Sequence, residues 1–371
     1  MTSKLVGVFR GSTLLRSLAI VLVAGVVLIV VTDSVSSYRN LQIAYGAYYF
    51  CVLAGLTVLA GASGQISLGQ GAFMAVGGYT FAKLNASPVG WSVFPSLSGA
   101  VAASILIGIP VGVAASRLRG PYLAGATLAF AVGLPALADK FPAFFGGENG
   151  LIVNPPIAPP WLGANFQLER WEAWVACAGA LVVVFVLYNL THSAVGRSWR
   201  AVRDGEIAAS LSGLRVGRQQ ALAFTISASC AGLGGGLLAA VTQVASPGAF
   251  PLQLSLTLLA GVVIGGLGSL AGAVWGAALL VFLPNWTTDI AGSFSLSSNV
   301  SHNLPIAVYG LVLIVAMLVW PSGIQGGVRV IKRGAGSAIR SRRGRGSAEP
   351  ATAASEATEP IADEEMNASH P

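Results

Sequence analysis

The chain is divided into ten apolar runs, each about as long as the 20 residues that cross a bilayer as a helix. The runs lie near residues 14–31, 41–61, 66–84, 93–115, 120–138, 172–190, 219–243, 252–267, 269–285 and 304–320. Only 9% of the residues are charged, against about 25% in soluble domains. The sequence therefore predicts an all-α integral membrane protein: a polytopic bundle of about ten transmembrane helices, some of them short or broken by glycine, in one domain of residues 1–325.

Two places in this series allow a second interpretation. Residues 252–285 form either one long bent helix or a hairpin that turns at residues 265–268. The first run, flanked by Arg10 and Arg16, also has the charge pattern of a signal peptide, although TDSVSS after it lacks a clear small-residue cleavage site. We expect a spanning helix from the first run and leave the form of residues 252–285 open.

Basic residues are unevenly distributed between alternate loops. With ten spans and the N-terminus inside, 17 of the 21 Lys and Arg residues fall on the cytoplasmic side. Loops rich in Lys and Arg stay in the cytoplasm. The sequence thus predicts a multi-pass protein of the cell membrane with both termini cytoplasmic.

The last part of the chain, residues 326–371, has a different composition. It begins with a basic stretch, RVIKRGAGSAIRSRRGR, and continues with the acidic EPATAASEATEPIADEE. Such a segment cannot bury a core. We expect a disordered cytoplasmic tail whose basic half lies on anionic lipid.

The chain lacks the residue patterns of an enzyme. Its cysteines, Cys51, Cys177 and Cys230, lie singly in apolar runs, and neither a catalytic triad nor a phosphate-binding GxxxxGK[ST] loop is present. No Asp or Glu falls within the body of a predicted span, where proton-driven carriers usually have one. We therefore expect no catalytic residue, metal site or cofactor, no nucleic-acid partner, and an energy source outside this chain.

Residues 61–84 combine glycine with polar side chains in an apolar run. On a helical wheel the small residues form one face, which suits close helix packing in a membrane. This packing face contains Gly64, Gly71 and Gly78. Ser67 and Gln70 form a second, polar face, and Gln65 lies apart from both. Since a buried amide needs a partner, these three side chains either bond neighbouring helices or line a translocation path with Gln65 near its mouth.

Residues 196–217, which we call the elbow, are too polar to span the membrane. Ile207, Leu211 and Leu214 form an apolar stripe on a predicted amphipathic helix, with Arg200 and Asp204 four residues apart on its exposed part. Such a helix either lies in the inner membrane interface or fits a soluble partner.

Several motifs together resemble a known family. GRSWRAVRDGEIAASLSGLRVGRQQALAFTISASCAGLGG, SPGAF and GGLGSLAGAVWGAAL are similar to the LivM-like permease subunits of branched-chain amino acid ABC importers. SGQISLGQGAFMAVGGYTFA, RLRGPYLAGATLAFA and YGLVLIVAMLVWPSGI match the earlier and later parts of that family. The resemblance runs from about residue 41 to 325 and leaves out the first span and the tail.

The resemblance implies that the elbow contains the coupling helix that contacts the ATPase. Its E-x-A-A-x-x-x-G core and the preceding charged residues supply the implied contacts. They are Arg203, Asp204, Glu206, Ala208, Ala209 and Gly213. Gly205 departs from the family, which more often has an acidic or helix-favouring residue there, and glycine costs about 1 kcal/mol of helix stability.

The resemblance also implies the partners and the reaction. It predicts a permease that pairs with a paralogous permease, two cytoplasmic ATPase subunits and an extracytoplasmic solute-binding protein. The implied solutes are branched-chain amino acids, with other amino acids, urea or amides as alternatives. The rival functions are a stand-alone secondary carrier or facilitator of small neutral solutes and, less favoured, a channel.

Overall fold

The computed structural model describes residues 13–87, 91–118, 120–163 and 166–293, and short stretches between residues 307 and 327. Eleven helices longer than one turn lie in the continuous part of this description. They are α1 (Thr13–Ser34), α2 (Ser37–Ala62), α3 (Gln70–Asn85), α4 (Val93–Ala115), α5 (Pro121–Lys140), α6 (Leu168–His192), α7 (Ala194–Asp204), α8 (Glu206–Leu211), α9 (Val216–Thr242), α10 (Leu252–Gly265) and α11 (Leu270–Ser293).

These helices confirm a multi-pass α-helical membrane bundle. Seven described segments are long and apolar enough to cross a membrane: α1, α2, α4, α5, α6, α9 and residues 247–265, which include α10. Helices α3 and α11 coincide with two further predicted spans. The tenth, residues 304–320, lies mostly outside the described residues, as does the predicted tail of residues 326–371.

Helices α2 and α9 form the centre of the bundle. Their most apolar stretches are 72% and 78% buried, against 6% for α1, which packs at the periphery against α6. Side-chain hydrogen bonds join α1 to α6: Asn189 Nδ2 donates to Ser17 Oγ at 2.9 Å, and Trp174 Nε1 donates to Thr32 Oγ1 at 2.9 Å. Most other exposed side chains of α1 are aliphatic and suit contact with lipid.

Helices α3 and α9 approach each other closely at glycines. A side chain at Gly77 would collide with the backbone of Gly232, and one at Gly235 with the carbonyl of Met74. Close approach at small residues is a general means of packing membrane helices, because dispersion contacts replace the missing hydrophobic drive. The glycine content of the region therefore has a packing role.

Residues 252–285 form a hairpin, which settles the alternative that the sequence left open. Helix α10 ends at Gly265 and α11 begins at Leu270; between them Gly266 and Gly268 have φ values of 114° and 78°. The two helices run antiparallel, because Gly265 contacts Gly272. L-residues rarely adopt such φ values, so these glycines permit the turn.

The helical wheel of residues 61–84 assumed one continuous helix, and this prediction is wrong. Helix α2 ends at Ala62, Gly64 has a φ of 76°, and α3 begins only at Gln70. We call Ser63–Gly69 the unwound segment. At 1.5 Å per residue, the 16 residues of α3 extend about 24 Å, less than the ~30 Å hydrocarbon core. The unwound segment thus completes this crossing without helical backbone, which membranes tolerate only inside protein or along a cavity.

The two ends of the bundle differ in structure. The end formed by residues 139–171, which we call the outer end after its predicted orientation, carries a one-turn helix (Pro142–Phe145) and the strand β1 (Leu151–Ile152). Strand β1 pairs antiparallel with β2 (Val244–Ala245), and Asn154 N–H donates to Asn85 Oδ1 at 2.8 Å. These contacts hold the outer loop to α3 and α9. The opposite end carries the elbow, and we call it the inner end after its predicted orientation.

Candidate functional site

The elbow consists of two short helices, whereas the sequence predicted one amphipathic helix. Ser193 caps α7, its Oγ accepting from Val195 N–H at 3.2 Å, and α7 ends at Asp204. Gly205 is extended, with a φ of −177°, and α8 follows from Glu206 to Leu211. The weak helix propensity of glycine at this position explains why the helix breaks here.

Helix α7 is firmly anchored in the bundle. Trp199 is fully buried, and its Nε1 donates to the carbonyl of Gln219 in α9 at 3.1 Å. Val202 is also buried, and Gly196 packs against the backbone of Thr191. A displacement of α7 would therefore also move the adjoining ends of α6 and α9.

Helix α8 presents apolar side chains to the surroundings. Ile207 is 79% exposed and Leu211 is 84% exposed, while Ala208 is exposed beside them. Ala209 faces the opposite way and is buried. Of the two predicted alanine contacts, only Ala208 is thus accessible to a partner in this conformation.

The chain leaves α8 through a left-handed residue. Gly213 has a φ of 84°, and Leu214 N–H donates to the carbonyl of Ala209 at 3.1 Å. This bond belongs to the Schellman type of helix end, which favours glycine. It keeps α8 a compact protrusion between α7 and α9.

The charged residues of the elbow are arranged differently from the predicted pattern. Arg200 and Asp204 do not pair; Arg200 Nη1 donates to the carbonyl of Thr191 at 3.1 Å. Asp204 Oδ1 instead accepts from Arg203 Nε and Nη2, at 2.9 and 2.8 Å. Arg203 also turns toward the bundle, where its Nη1 donates to the carbonyl of Gly61 at 2.6 Å.

Glu206 also points toward the protein. Its Oε1 accepts a hydrogen bond from Gln220 Nε2 at 2.8 Å, which links the start of α8 to α9. Gln220 was not singled out by sequence reasoning. Its position near the start of α9, directly after the elbow, was the available signal.

A cavity of about 570 Å³ lies between the elbow and the unwound segment. The elbow contributes Val202, Arg203 and Glu206 to its lining, and the unwound segment contributes Gln65. Residues 120–124 at the start of α5 complete one side. The cavity therefore places charged, amide and apolar groups around a space at the inner end of the bundle.

The three candidate path residues lie in different surroundings. Gln65 borders the cavity, and its Nε2 donates to Ser63 Oγ at 3.2 Å. Ser67 is fully buried, and its Oγ accepts from Gly69 N–H. Gln70 is buried at the start of α3, where its Nε2 donates to Ser227 Oγ of α9 at 3.1 Å. Its Oε1 has no hydrogen-bond partner among the described residues.

The three predicted packing glycines do not lie on one helix face. A methyl group on Gly71 would lie 2.7 Å from Ser255 Oγ, and one on Gly78 would lie 2.8 Å from the ring of Phe250. These two glycines permit close packing of α3. Gly64 lies in the unwound segment and not on a helix face, because its φ of 76° ends α2.

Two hydroxyl groups near the unwound segment were not predicted from the sequence as functional. Thr127 Oγ1 accepts from Leu68 N–H at 2.9 Å, and Ser255 Oγ accepts from Gly71 N–H at 3.0 Å. Both replace helical partners that these backbone groups lack. A polar residue within an apolar span was the only signal that marked them.

Comparison with known proteins identifies relatives over most of the chain. Residues 37–319 match the profile of a family described as the permease component of branched-chain amino acid transport systems. The high-affinity branched-chain amino acid transport permease LivM of Escherichia coli K12 is 36% identical over 299 residues, covering 73% of this chain and 68% of LivM.

Two more distant relatives carry the same description in their names. LivH of Escherichia coli K12 is 25% identical, covering 77% of this chain and 94% of LivH. BraD of Pseudomonas aeruginosa is also 25% identical, with the same coverage of both chains. No solved structure matches the chain.

Proposed function

The chain belongs to the family of permease components of branched-chain amino acid transport systems, and we propose that it is the membrane-spanning half of an ATP-driven importer. Its partner in the membrane is a related permease of a second type, as the similarity to both LivM and LivH supports. Two cytoplasmic ATPase chains and an extracytoplasmic solute-binding protein complete the proposed assembly. This chain itself is a transport subunit and not an enzyme.

The observation that carries this proposal is the exposed apolar surface of α8. Ile207 and Leu211 expose most of their side chains on an otherwise charged segment between two spanning helices. Apolar side chains that protrude from a polar surface are typical anchors for a protein partner. We assign Ile207, Ala208 and Leu211 to the contact with an ATPase chain, with Asp204 and Glu206 beside it.

In this assembly, ATP binding closes the ATPase chains and displaces the elbow. The bundle then changes from inward to outward access, and the binding protein delivers the solute. We place the inner end of the path along the unwound segment, where Gln65 borders the cavity and Ser67 and Gln70 follow. Amides, hydroxyls and backbone groups replace the water around a zwitterionic solute without binding it tightly.

Branched-chain amino acids are the proposed solutes, on the names of the relatives. A permease path with few charged groups suits small neutral or zwitterionic solutes in general. Uptake competition by leucine, isoleucine and valine, compared with urea and short amides, measures this choice in the complete transporter.

A capture experiment tests the proposed partner. This chain is tagged and produced with the paralogous permease and the two ATPase chains of the same organism. The proposal predicts capture of the ATPase chains, and it predicts that Ile207→Asp lowers capture by about tenfold or more, the scale of losing an interface anchor.

Ile157→Asp is the matched control, because Ile157 is 85% exposed at the outer end and carries the same substitution. Its capture should equal that of the wild type. Equal capture by the Ile207→Asp chain would remove α8 from the contact. An elbow that lies only in the lipid interface would give this result.

A stand-alone carrier is the second candidate function. It has the advantage that α3 is short and preceded by unwound backbone, a form found in secondary carriers. It requires uphill uptake by this chain alone in proteoliposomes without ATP.

A further inference from the structure

The inner end of α2 holds a helix terminus with few internal partners. The last four carbonyl groups of any helix lack an intrahelical donor. At α2 the amides of Ser63 and Gln65 fold back to the carbonyls of Val58 and Leu59, at 3.2 Å each. The carbonyl of Gly61 instead receives its bond from a side chain 142 residues along the chain.

That side chain is Arg203, at the end of α7. Its Nη1 lies 2.6 Å from the Gly61 carbonyl oxygen, and a cation at a helix C-terminus is favoured by the helix dipole. Its aliphatic part lies over Gly64, where a methyl group would come within 2.9 Å of Arg203 Cγ. The Arg203 side chain thus contacts the last turn of α2 through its guanidinium and Gly64 of the unwound segment through its aliphatic stem.

Asp204 holds the guanidinium from the other side. Two hydrogen bonds from Arg203 Nε and Nη2 to one carboxylate oxygen restrict the orientation of the planar group. The side chain of Arg203 therefore has a fixed direction, toward the bundle. This direction is unsuited to a rim contact with a soluble protein, which the sequence had predicted for Arg203.

The unwound segment, in turn, is bonded to two helices beyond α2. Leu68 N–H donates to Thr127 Oγ1 of α5, and Gln70, which follows the segment, donates to Ser227 of α9. The segment also contributes Gln65 to the cavity at the inner end. Its position therefore sets both the shape of that cavity and the start of α3.

We propose that Arg203 is a positioning residue that makes the unwound segment follow the movement of the elbow. Because α7 is anchored by Trp199 and ends in Arg203, displacement of α7 pulls on the Gly61 carbonyl and on Gly64. The segment Ser63–Gly69 lacks a continuous ladder of helical hydrogen bonds and is held to its neighbours by single bonds, such as that from Leu68 N–H to Thr127, so it moves more easily than a helix. The inner end of the solute path then changes in step with the ATPase.

This inference rests on the proposed function, and it assigns to Arg203 a role different from ATPase contact. The two roles predict different defects. Loss of a docking contact lowers ATPase capture and hydrolysis together. Loss of the contact between Arg203 and α2 leaves ATPase capture and hydrolysis unchanged and lowers the number of solute molecules moved for each ATP hydrolysed.

The test compares Arg203→Ala, Arg203→Lys and Arg200→Ala in the complete transporter, reconstituted in proteoliposomes with its binding protein. Uptake and ATP hydrolysis are measured in the same vesicles. For Arg203→Ala we expect capture and hydrolysis within about twofold of the wild type, and uptake per ATP lower by about tenfold or more, the effect of losing a charge-assisted bond. Arg203→Lys should recover part of the uptake per ATP hydrolysed. The lysine ammonium can donate to the Gly61 carbonyl, but it cannot also make the two hydrogen bonds to Asp204 that the guanidinium makes.

Arg200→Ala is the matched control, since Arg200 lies on the same helix and its guanidinium bonds the nearby Thr191 carbonyl instead of α2. The uptake per ATP hydrolysed by the Arg200→Ala transporter should equal that of the wild type. Gly64→Ala supplies a second variant that keeps the charge and displaces the arginine stem. Gly163→Ala, also at positive φ but in the outer loop and with no atom within 4 Å of an added methyl group, is its control.

The proposal is overturned if Arg203→Ala and Gly64→Ala keep the wild-type ratio of uptake to hydrolysis. It is equally overturned if Arg203→Ala loses ATPase capture, because Arg203 is then a docking contact. The proposed function fails by a separate result: a wild-type complex that captures no ATPase chain and takes up no solute with ATP.

Discussion

Among single residues, Gln70 is informative because the nitrogen and the oxygen of its side-chain amide have different surroundings. Its Nε2 bonds Ser227 and joins α3 to α9, while its buried Oε1 lacks a partner among the described residues. An unpaired buried acceptor is costly unless a ligand or water meets it in some state of the protein. A solute ammonium group passing the start of α3 would provide such a donor.

We therefore predict that Gln70→Leu lowers uptake by the complete transporter about tenfold or more, while Ser227→Ala has a smaller effect. Each substitution removes the same interhelical bond, worth about 1 kcal/mol. Ser227→Ala also leaves the buried Gln70 Nε2 without its acceptor, so thermal unfolding in detergent should show at least as large a loss of stability for Ser227→Ala as for Gln70→Leu. Only Gln70→Leu also removes the free acceptor. Wild-type uptake by a well-expressed Gln70→Leu chain would show that Gln70 has only a packing role.

Arg203 shows what residue types alone leave undetermined. The family resemblance implied that Arg203 contacts the ATPase. Its actual partner, the Gly61 carbonyl, is a backbone group 142 residues away. No local pattern encodes a contact of that separation, so the structure was needed to find it.

At the scale of helices, the contact between α3 and α9 depends on the absence of side chains. Gly77 faces the backbone of Gly232 with no space for a methyl group, whereas a methyl group on Gly133 of α5 has no atom within 4 Å. The same substitution at these two glycines should thus have opposite effects.

We predict that Gly77→Ala lowers the stability of the isolated subunit by about 1–3 kcal/mol, the usual cost of overpacking. Gly133→Ala should be neutral or stabilise by up to about 1 kcal/mol, the difference in helix propensity. Thermal unfolding in one detergent measures both. A tolerated Gly77→Ala would mean that α3 and α9 are less closely packed than described.

The positions of most helices followed from hydropathy alone, because a spanning helix must satisfy its backbone within itself and be apolar over its length. The break at Ser63–Gly69 did not follow, since an apolar run interrupted by serine and glutamine keeps helical periodicity. What ends α2 is the left-handed Gly64. The break is stabilised by the hydrogen bond that Leu68 N–H donates to Thr127 Oγ1 and by the one that Arg203 Nη1 donates to the Gly61 carbonyl. The split of the elbow at Gly205 was closer to prediction, as glycine there was already recognised as weakening a helix.

At the scale of the whole molecule, the account requires the elbow to face the cytoplasm and the outer loop to face the opposite side. The three native cysteines are buried, at 0–6% exposure, and give little background to a thiol reagent. Single cysteines in place of exposed Ser212 and Ile157 therefore report the two ends separately.

We predict that a membrane-impermeant maleimide added to intact cells labels Ile157→Cys and leaves Ser212→Cys unlabelled until the membrane is opened. The reason is the concentration of Arg and Lys at the elbow end, which retains that end in the cytoplasm. The reverse pattern would invert the bundle and place α8 beyond the reach of any cytoplasmic ATPase.

The central claim is that this subunit moves solute only with work received through the elbow. Its most direct test is uptake of labelled leucine into proteoliposomes, measured for this chain alone and for the complete transporter with binding protein, with and without ATP on the ATPase side. The account predicts accumulation above the external concentration only for the complete transporter with ATP. Accumulation by this chain alone without ATP would contradict it.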